Sequence, residues 1–428
     1  MSQIGPAIPV LGVSWASVGG IGRAYHAILC PFSGLRHGEI DRVSGSPTIA
    51  VDVSCLCARP LTGVGYYTLR LFQALAREEP AFRLRFFASS ARRPRAAAEA
   101  LGVPGADMRC MRCPTRLKHA LWTRAEWPPI EWFTSPADVA HGAFHLLPAT
   151  RRAKRVVTIF DLSGLQSPGT RSEANLSMHL RLLRHAVRRA DGIVTISRSC
   201  RNDAISLLDA PEDRIHIVYG GVSLDEFSGD LDPDCLATVR AKYGISGEYL
   251  IHLGTIEPRK NLPRLLRAYD RVRRTLDAPP QLVLAGGLGW MYEDVFATIR
   301  DLDLGGLVVH TGYLAREEAV LLLRGARGCA YPSLYEGFGL PVLEAMAART
   351  PVLTSNVSSL PEVVGDCGIL VDPRSEDAIA NGLARLLGDR DAECVEAAHA
   401  RAGLFTWSAS ARALAEAYRG VMQEERVP

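Results

Sequence analysis

The chain has 428 residues, 47% of them hydrophobic and 22% charged, with a formal net charge of +3. That is enough chain for two or three domains with sizeable cores, and it excludes a disordered or collagen-like protein. So even a charge balance also argues against a nucleic-acid partner.

Residues 1–46 show no periodicity and end in a polar stretch, so a poorly ordered extension is expected there. The first 22 residues carry no charge and hence no basic n-region, which argues against a signal peptide. Within the extension, Gly19, Gly20 and Gly22 faintly echo a glycine loop that comes later. The first strand is expected at 48–54. Thr62-Gly-Val-Gly-Tyr-Tyr then opens an amphipathic helix to about residue 77, and 82–88 reads as the next strand. Further strands at 155–161, 192–197 and 215–219 alternate with helices near 172–190 and up to 208. Such alternation predicts a parallel sheet covered on both faces. Residues 47–228 are therefore one Rossmann-like domain.

Residues 229–247 are polar, with Asp230, Asp232 and Asp234 around Pro233, and read as a linker. The alternation restarts at 249–254 and continues with strands at 281–286, 307–311, 328–332, 351–354 and 368–371. Helices fall near 261–276, 293–301, 316–325, 340–348 and 376–388. Residues 248–404 thus form a second doubly wound α/β domain. Residues 405–428 add an amphipathic helix, expected to return toward the first domain.

Ten cysteines are scattered along the chain; Cys55 with Cys57 and Cys110 with Cys113 lack further partners at zinc spacing. They read as reduced core residues of a cytoplasmic protein. No run of eighteen strongly apolar residues occurs, so no transmembrane helix is expected. Nine Arg or Lys fall between Ala149 and Ala190 against Asp161 and Glu173. A solvated basic face explains them; attraction to an anionic membrane or acceptor is the sharper reading. Trp122, Trp127 and Trp132 read as core aromatics, with an interfacial patch for a lipid-linked acceptor as the alternative.

The most informative stretch is 333–344, Ser-Leu-Tyr-Glu-Gly-Phe-Gly-Leu-Pro-Val-Leu-Glu. Pro341 suits the first turn of a helix, whose N-terminus is a natural anion site. Glu336 and Glu344 beside such a site suggest a ligand with both phosphate and many hydroxyls, such as a nucleotide sugar. The backbone N–H groups would take the phosphate and the carboxylates the hydroxyls. Arg259 and Lys260, where a strand turns into a helix, would hold the diphosphate leaving group, each bond contributing roughly 1.5–3 kcal/mol. All these residues follow strands, at the sheet edge where ligands bind.

The loop 254–261 (Gly-Thr-Ile-Glu-Pro-Arg-Lys-Asn), the turn Ala285-Gly-Gly, Thr311-Gly-Tyr and Glu336-x7-Glu344 resemble the donor half of a retaining GT-B glycosyltransferase. Pro361-Glu-Val-Val-Gly and Phe405-Thr-Trp fit as well. In the first domain Leu61-Thr-Gly-Val-Gly, Asp138-Val-Ala-His, Val157-Thr-Ile-Phe-Asp and Thr195-Ile-Ser are similar. The resemblance, from about Thr48 to the last helix, is to glycosyltransferase group 1, also called family 4. It is strongest to bacterial mannosyltransferases of polysaccharide assembly.

It implies two Rossmann-like domains facing across a cleft, and a hexosyltransferase working with retention. The donor would be a nucleotide sugar, GDP-mannose or a UDP-sugar, and the acceptor a saccharide or lipid-linked saccharide. No further cofactor and no metal is implied. Residues 47–228 become the acceptor side and 248–404 the nucleotide-sugar side. Lys260 would bind the donor diphosphate. Many members place an arginine near Thr255; its absence here leaves Arg259 as the residue that would substitute for it. Glu336 would contact the transferred sugar and Glu344 the ribose, with the N–H groups of Gly337, Phe338, Gly339 and Leu340 on phosphate or sugar. Gly63 and Gly65 would let their loop approach the donor phosphate or the acceptor. Relatives often carry His-Asp where this chain has Phe160 and Asp161, so Asp161 remains and His141 or His145 would supply an imidazole near the anomeric carbon. The expected location is cytoplasmic, with peripheral contact at the inner face of the plasma membrane.

Competing motifs fail. Gly63-x-Gly65 lacks the third glycine of a dinucleotide fingerprint, and Asp301-x-Asp303 reads as a solvated turn. A nucleotide-sugar epimerase on the same scaffold and an inactive sugar-nucleotide-binding protein stay open as alternatives.

Overall fold

The computed structural model describes residues 45–103, 106–166, 173–388 and 391–423. The expected extension lies outside them except for its last two residues, as do the glycine echo at 19–22 and Arg171. From Ser46 onward the chain is one compact unit, so contacts between its two sheets belong to the fold.

The first sheet contains β1 (Thr48–Asp52), β2 (Arg83–Ser89), β3 (Asp107–Met111), β4 (Val139–Gly142), β5 (Lys154–Ile159), β6 (Gly192–Thr195) and β7 (Ile215–Ile217). Every pairing is parallel and the order is β3-β2-β1-β4-β5-β6-β7. The second contains β8 (Tyr249–Leu253), β9 (Gln281–Ala285), β10 (Val308–Gly312), β11 (Gly328–Tyr331), β12 (Val352–Ser355) and β13 (Ile369–Val371), ordered β10-β9-β8-β11-β12-β13. Strands such as β9, Gln-Leu-Val-Leu-Ala and buried throughout, are near-continuous apolar runs because helices cover both faces. In each sheet the strand order reverses beside the first strand, at β1/β4 and at β8/β11. In open parallel sheets, ligands bind outside the strand ends at such a reversal.

The polar segment 229–247 is more than a linker. Pro233–Tyr243 is a helix, capped by Asp232, whose Oδ1 accepts from the N–H groups of Asp234 (2.9 Å) and Cys235 (3.2 Å), with Pro233 at its first position. It packs on the Arg316–Gly325 helix of the second sheet.

The Trp407–Gln423 helix crosses back to the first sheet. It lies along the Gly63–Glu78 helix and buries Leu414, Tyr418 and Val421, each contributing about 1.5–3 kcal/mol. This arrangement corrects the reading of His141. The ring is fully buried inside β4; Nδ1 lies 2.6 Å from the Tyr418 hydroxyl and Nε2 2.8 Å from that of Thr158. Burial pulls its pKa to about 3. With both nitrogens engaged inside the core, His141 is a fastening between sheet and helix, not an acid or base at an anomeric carbon. Among the tryptophans, Trp122 is a core residue whose Nε1–H donates to Pro128 O (3.0 Å). Trp127 and Trp132 pack edge to face at 5.5 Å.

Candidate active site

β8 and β11 are hydrogen-bonded neighbours, so the loops that leave them are forced together. The first carries Glu257, Arg259 and Lys260, the second Ser333, Tyr335 and Glu336. Lys260 is 5% exposed and its Nζ donates to Glu336 Oε1 (2.7 Å) and to the Tyr331 hydroxyl. Arg259 is held on three sides. Its Nε and Nη2 donate to Glu257 Oε1 (3.0 and 2.6 Å), and its Nη1 to Tyr335 O (2.9 Å) and to the Glu336 carboxylate. Burial alone would raise the Glu336 pKa, but Arg259 and then Lys260 outweigh it and bring it to about 2. Glu336 is therefore ionised and oriented at any physiological pH. Burial and the neighbouring Arg259 lower Lys260. Arg259 gives four of its five N–H bonds to the protein and so orients Glu336, keeping one on Nη2. Lys260 has protein partners for two of its three N–H bonds, which leaves one for a ligand oxygen.

Glu344, expected beside Glu336, is held by a different cation. It sits on the Leu340–Ala347 helix, 6% exposed, and accepts from Arg316 Nη1 (2.5 Å). Burial is the largest influence and raises its pKa. Arg316 also donates from Nε to Glu226 (2.9 Å) and lies 5.1 Å over the Tyr66 ring. Arg70 closes the group on Glu226 from the other side. Tyr66 and Arg70 belong to the Gly63–Glu78 helix, so this network ties the second sheet to the helix that follows the glycine loop.

The segment between the two carboxylates is docked on the first sheet. A Cβ on Gly337 would stand 2.2 Å from Phe160 O, so only glycine permits that approach. Cys200 Sγ bridges the same place, 3.0 Å from Phe160 O and 3.3 Å from Gly337 O. Tyr335 Oη donates to Asp203 (2.6 Å). Phe338 is buried between Tyr219 and Phe405, and is thus a packing residue as far as its side chain goes. Gly339 has φ of 103°, a left-handed turn that starts the helix at Leu340.

Asp161 follows β5 and accepts from Ser163 N (3.1 Å) and Oγ (2.7 Å). The residue before it, Phe160, meets Gly337 at the domain boundary, so Asp161 stands one residue from the place where the Glu336 loop docks. Gly65 sits under Leu61, and Thr62 Oγ1 caps its N–H (3.4 Å). Nothing lies within 4 Å of a Cβ on Gly63, so that turn is open to a ligand. His145, in the loop after β4, packs its ring on His179 at 4.2 Å. Asp303, with φ of 51°, lies in an exposed turn.

The structure thus unites Arg259, Lys260 and Glu336, leaves Asp161 beside the Phe160–Gly337 contact, gives Glu344 to a separate network, and buries His141 in the core. Sequence reasoning missed Glu257, Tyr331, Arg316 and Glu226. Glu257 had a signal, two residues before Arg259 in one loop. The others arrive from distant elements and had none.

Comparison with known proteins agrees with this fold. A family described as "Glycosyltransferase Family 4" matches residues 61–226, and one described as "Glycosyl transferases group 1" matches 238–402. The O-antigen chain mannosyltransferase B of Escherichia coli is 34% identical over 285 residues, 66% of this chain and 74% of that one. The serotype-specific mannosyltransferase WbdA of the same organism is 30% identical over 244 residues, 56% of this chain but only 30% of that longer protein. Among solved structures, HepE of Anabaena in complex with UDP-glucose superposes with a TM-score of 0.68, covering 87% of this chain and 100% of that one. At 17% identity, this last likeness speaks to the fold alone.

Proposed function

The chain belongs to the group 1, family 4 glycosyltransferases, and from that premise we propose that it moves mannose from GDP-mannose to a saccharide acceptor with retention of configuration. The observation that carries the donor site is the buried Lys260–Glu336 pair at the strand-order reversal of the second sheet. Mannose is supported by the two mannosyltransferase relatives; a UDP-sugar is the competing donor, since the HepE structure holds one.

On this reading the remaining N–H of Lys260 meets the diphosphate as its bond to the anomeric carbon breaks. A fixed cation there acts on charge that grows in the transition state, which is where it accelerates the reaction. Glu336, fixed by Arg259, accepts hydrogen bonds from the sugar hydroxyls. The N–H groups of Gly337, Phe338, Gly339 and Leu340 at the helix start take phosphate or sugar oxygens. Glu344 reads the ribose once Arg316 shifts its weight to Glu226. From the first domain, Gly63 and Gly65 leave room for phosphate or acceptor, and Asp161 faces the anomeric carbon. Retention follows if the acceptor oxygen enters on the face the diphosphate leaves.

The test is a turnover screen with GDP-mannose, UDP-glucose and ADP-glucose, followed by assignment of the product's anomeric configuration by NMR. Release of GDP and an α-linked product support the reading. Turnover of UDP- or ADP-sugars alone, or inversion, overturns it.

A further inference from the structure

The first sheet carries a further hollow, whose lining includes no residue of the donor loops. The chain leaving β1 supplies Arg59, the chain leaving β2 supplies Arg92, Arg93 and Arg95, and the first residue after β3 is Arg112. Because β3, β2 and β1 are consecutive in the sheet, their ends deliver five guanidinium groups to one hollow of about 730 Å³. That volume lies in the range of small-molecule sites. Glu99 is the one carboxylate lining it, so the lining carries a formal +4, five positive charges less one.

Among the described residues none of these five arginines is in an ion pair, whereas Arg259, Arg267, Arg273 and Arg316 all are. Arg59 is braced by carbonyl oxygens, those of Leu56 (3.0 Å), Ala58 (3.0 Å) and Ala96 (2.6 Å). Those contacts fix the guanidinium without cancelling its charge, and they use three of its five N–H bonds. Like charges gathered in a concavity repel one another and focus a positive potential, which an anion relieves. The hollow also lies on the carboxyl edge of a parallel sheet, where ligands bind. The basic run at 149–190 is a weaker candidate, since Arg155 and Arg189 are both paired with Glu126.

We propose that this hollow binds a diphosphate group borne by the acceptor, so that the enzyme recognises its acceptor through phosphate as well as sugar. Guanidinium forks pair with phosphate oxygens two at a time. A diphosphate offers these five guanidinium groups more phosphate oxygens than a single phosphate does, which favours a diphosphate. The proposal rests on the glycosyltransferase reading only for the word acceptor.

The experiment is a calorimetric titration of the full chain with inorganic pyrophosphate, with GDP present at saturation to block the donor site. It is repeated on an Arg92→Ala, Arg93→Ala, Arg112→Ala triple variant. These are exposed side chains, so the melting temperature should hold. With roughly tenfold per lost contact, the variant should bind at least about 100-fold more weakly. Equal affinity in both proteins, or none in the wild type, overturns the proposal. A second arm sediments both proteins with phosphatidylcholine vesicles containing either farnesyl diphosphate or phosphatidylglycerol. Arginine-dependent binding to the diphosphate vesicles identifies a lipid-borne group, and competition only by soluble pyrophosphate identifies a soluble one. Equal arginine-dependent binding to phosphatidylglycerol vesicles without pyrophosphate binding overturns the proposal in favour of a membrane surface. Donor turnover by the unmodified chain is read separately, so its failure counts against the proposed function and leaves the anion site standing.

Discussion

Replacing Lys260 by alanine tests the donor site most directly. Its Nζ is buried, bonded to Tyr331 and, at 2.7 Å, to Glu336, with one N–H left for substrate. Losing one fixed donor at a developing anion typically costs about 2.7–4 kcal/mol, or about 10²–10³ in rate. We therefore expect kcat/KM for the donor to fall by about 10²–10³, mostly in kcat, because the contact strengthens as the bond breaks. Removing one partner of a buried pair can cost about 3–5 kcal/mol of stability. Arg259 still holds the other oxygen of Glu336, so the loss should stay below that range and the melting temperature should drop by less than about 10 °C. The assay is release of nucleoside diphosphate under saturating and limiting donor, with calorimetry as the fold control. Lys260→Arg keeps the charge and should recover part of the rate. A well-folded Lys260→Ala protein with kcat/KM within about threefold of wild type would refute the assignment.

Three further outcomes are expected. His141→Ala should lose about 2–4 kcal/mol, through a cavity and two orphaned hydroxyls, yet leave kcat per folded molecule unchanged; a large kcat defect would restore it to catalysis. Because the folded His141 pKa lies near 3, below the ordinary 6.5, the unfolded chain binds the proton first. Its contribution to stability is thus complete above about pH 6.5 and shrinks as pH falls toward 3, and the melting temperature of His141→Ala should vary less with pH over that window. Gly337→Ala places a methyl 2.2 Å from Phe160 O, and should cost about 1–3 kcal/mol of domain docking, seen as a lower kcat and a larger radius of gyration by X-ray scattering. Glu344→Gln should raise donor KM about tenfold with little change in kcat, as for a ribose contact equal in ground and transition states; an unchanged KM speaks against ribose binding.

Much of the fold was legible because buried parallel strands are apolar runs between helix signals. Every strand of the second sheet, and β1, β2, β5, β6 and β7, show that pattern. β3, Asp-Met-Arg-Cys-Met, was not legible, since an edge strand can keep its charges in water. The helix at Pro233–Tyr243 was missed although Asp232 and Pro233 form a proper start, because Asp, Lys and Arg blur its apolar stripe. In the site, Lys260 and Glu336 could be joined because both follow strands of one sheet. The partner of Glu344 could not, since Arg316 comes from another helix and is 28 positions away. The role of His141 was hidden for a similar reason: its strand position reads alike whether its neighbour is a substrate or a tyrosine 277 positions later.

That distance has a consequence for how the protein is made. A ribosome delivers the first sheet long before the Trp407–Gln423 helix, so the nascent sheet waits with the face beside His141 uncovered. The Trp407–Gln423 helix completes the first domain, so that domain's final assembly must follow synthesis of the second sheet and of this helix. A polypeptide stopped before Trp407 should stay sensitive to protease at its N-terminal half, even though every strand of that half has been synthesised.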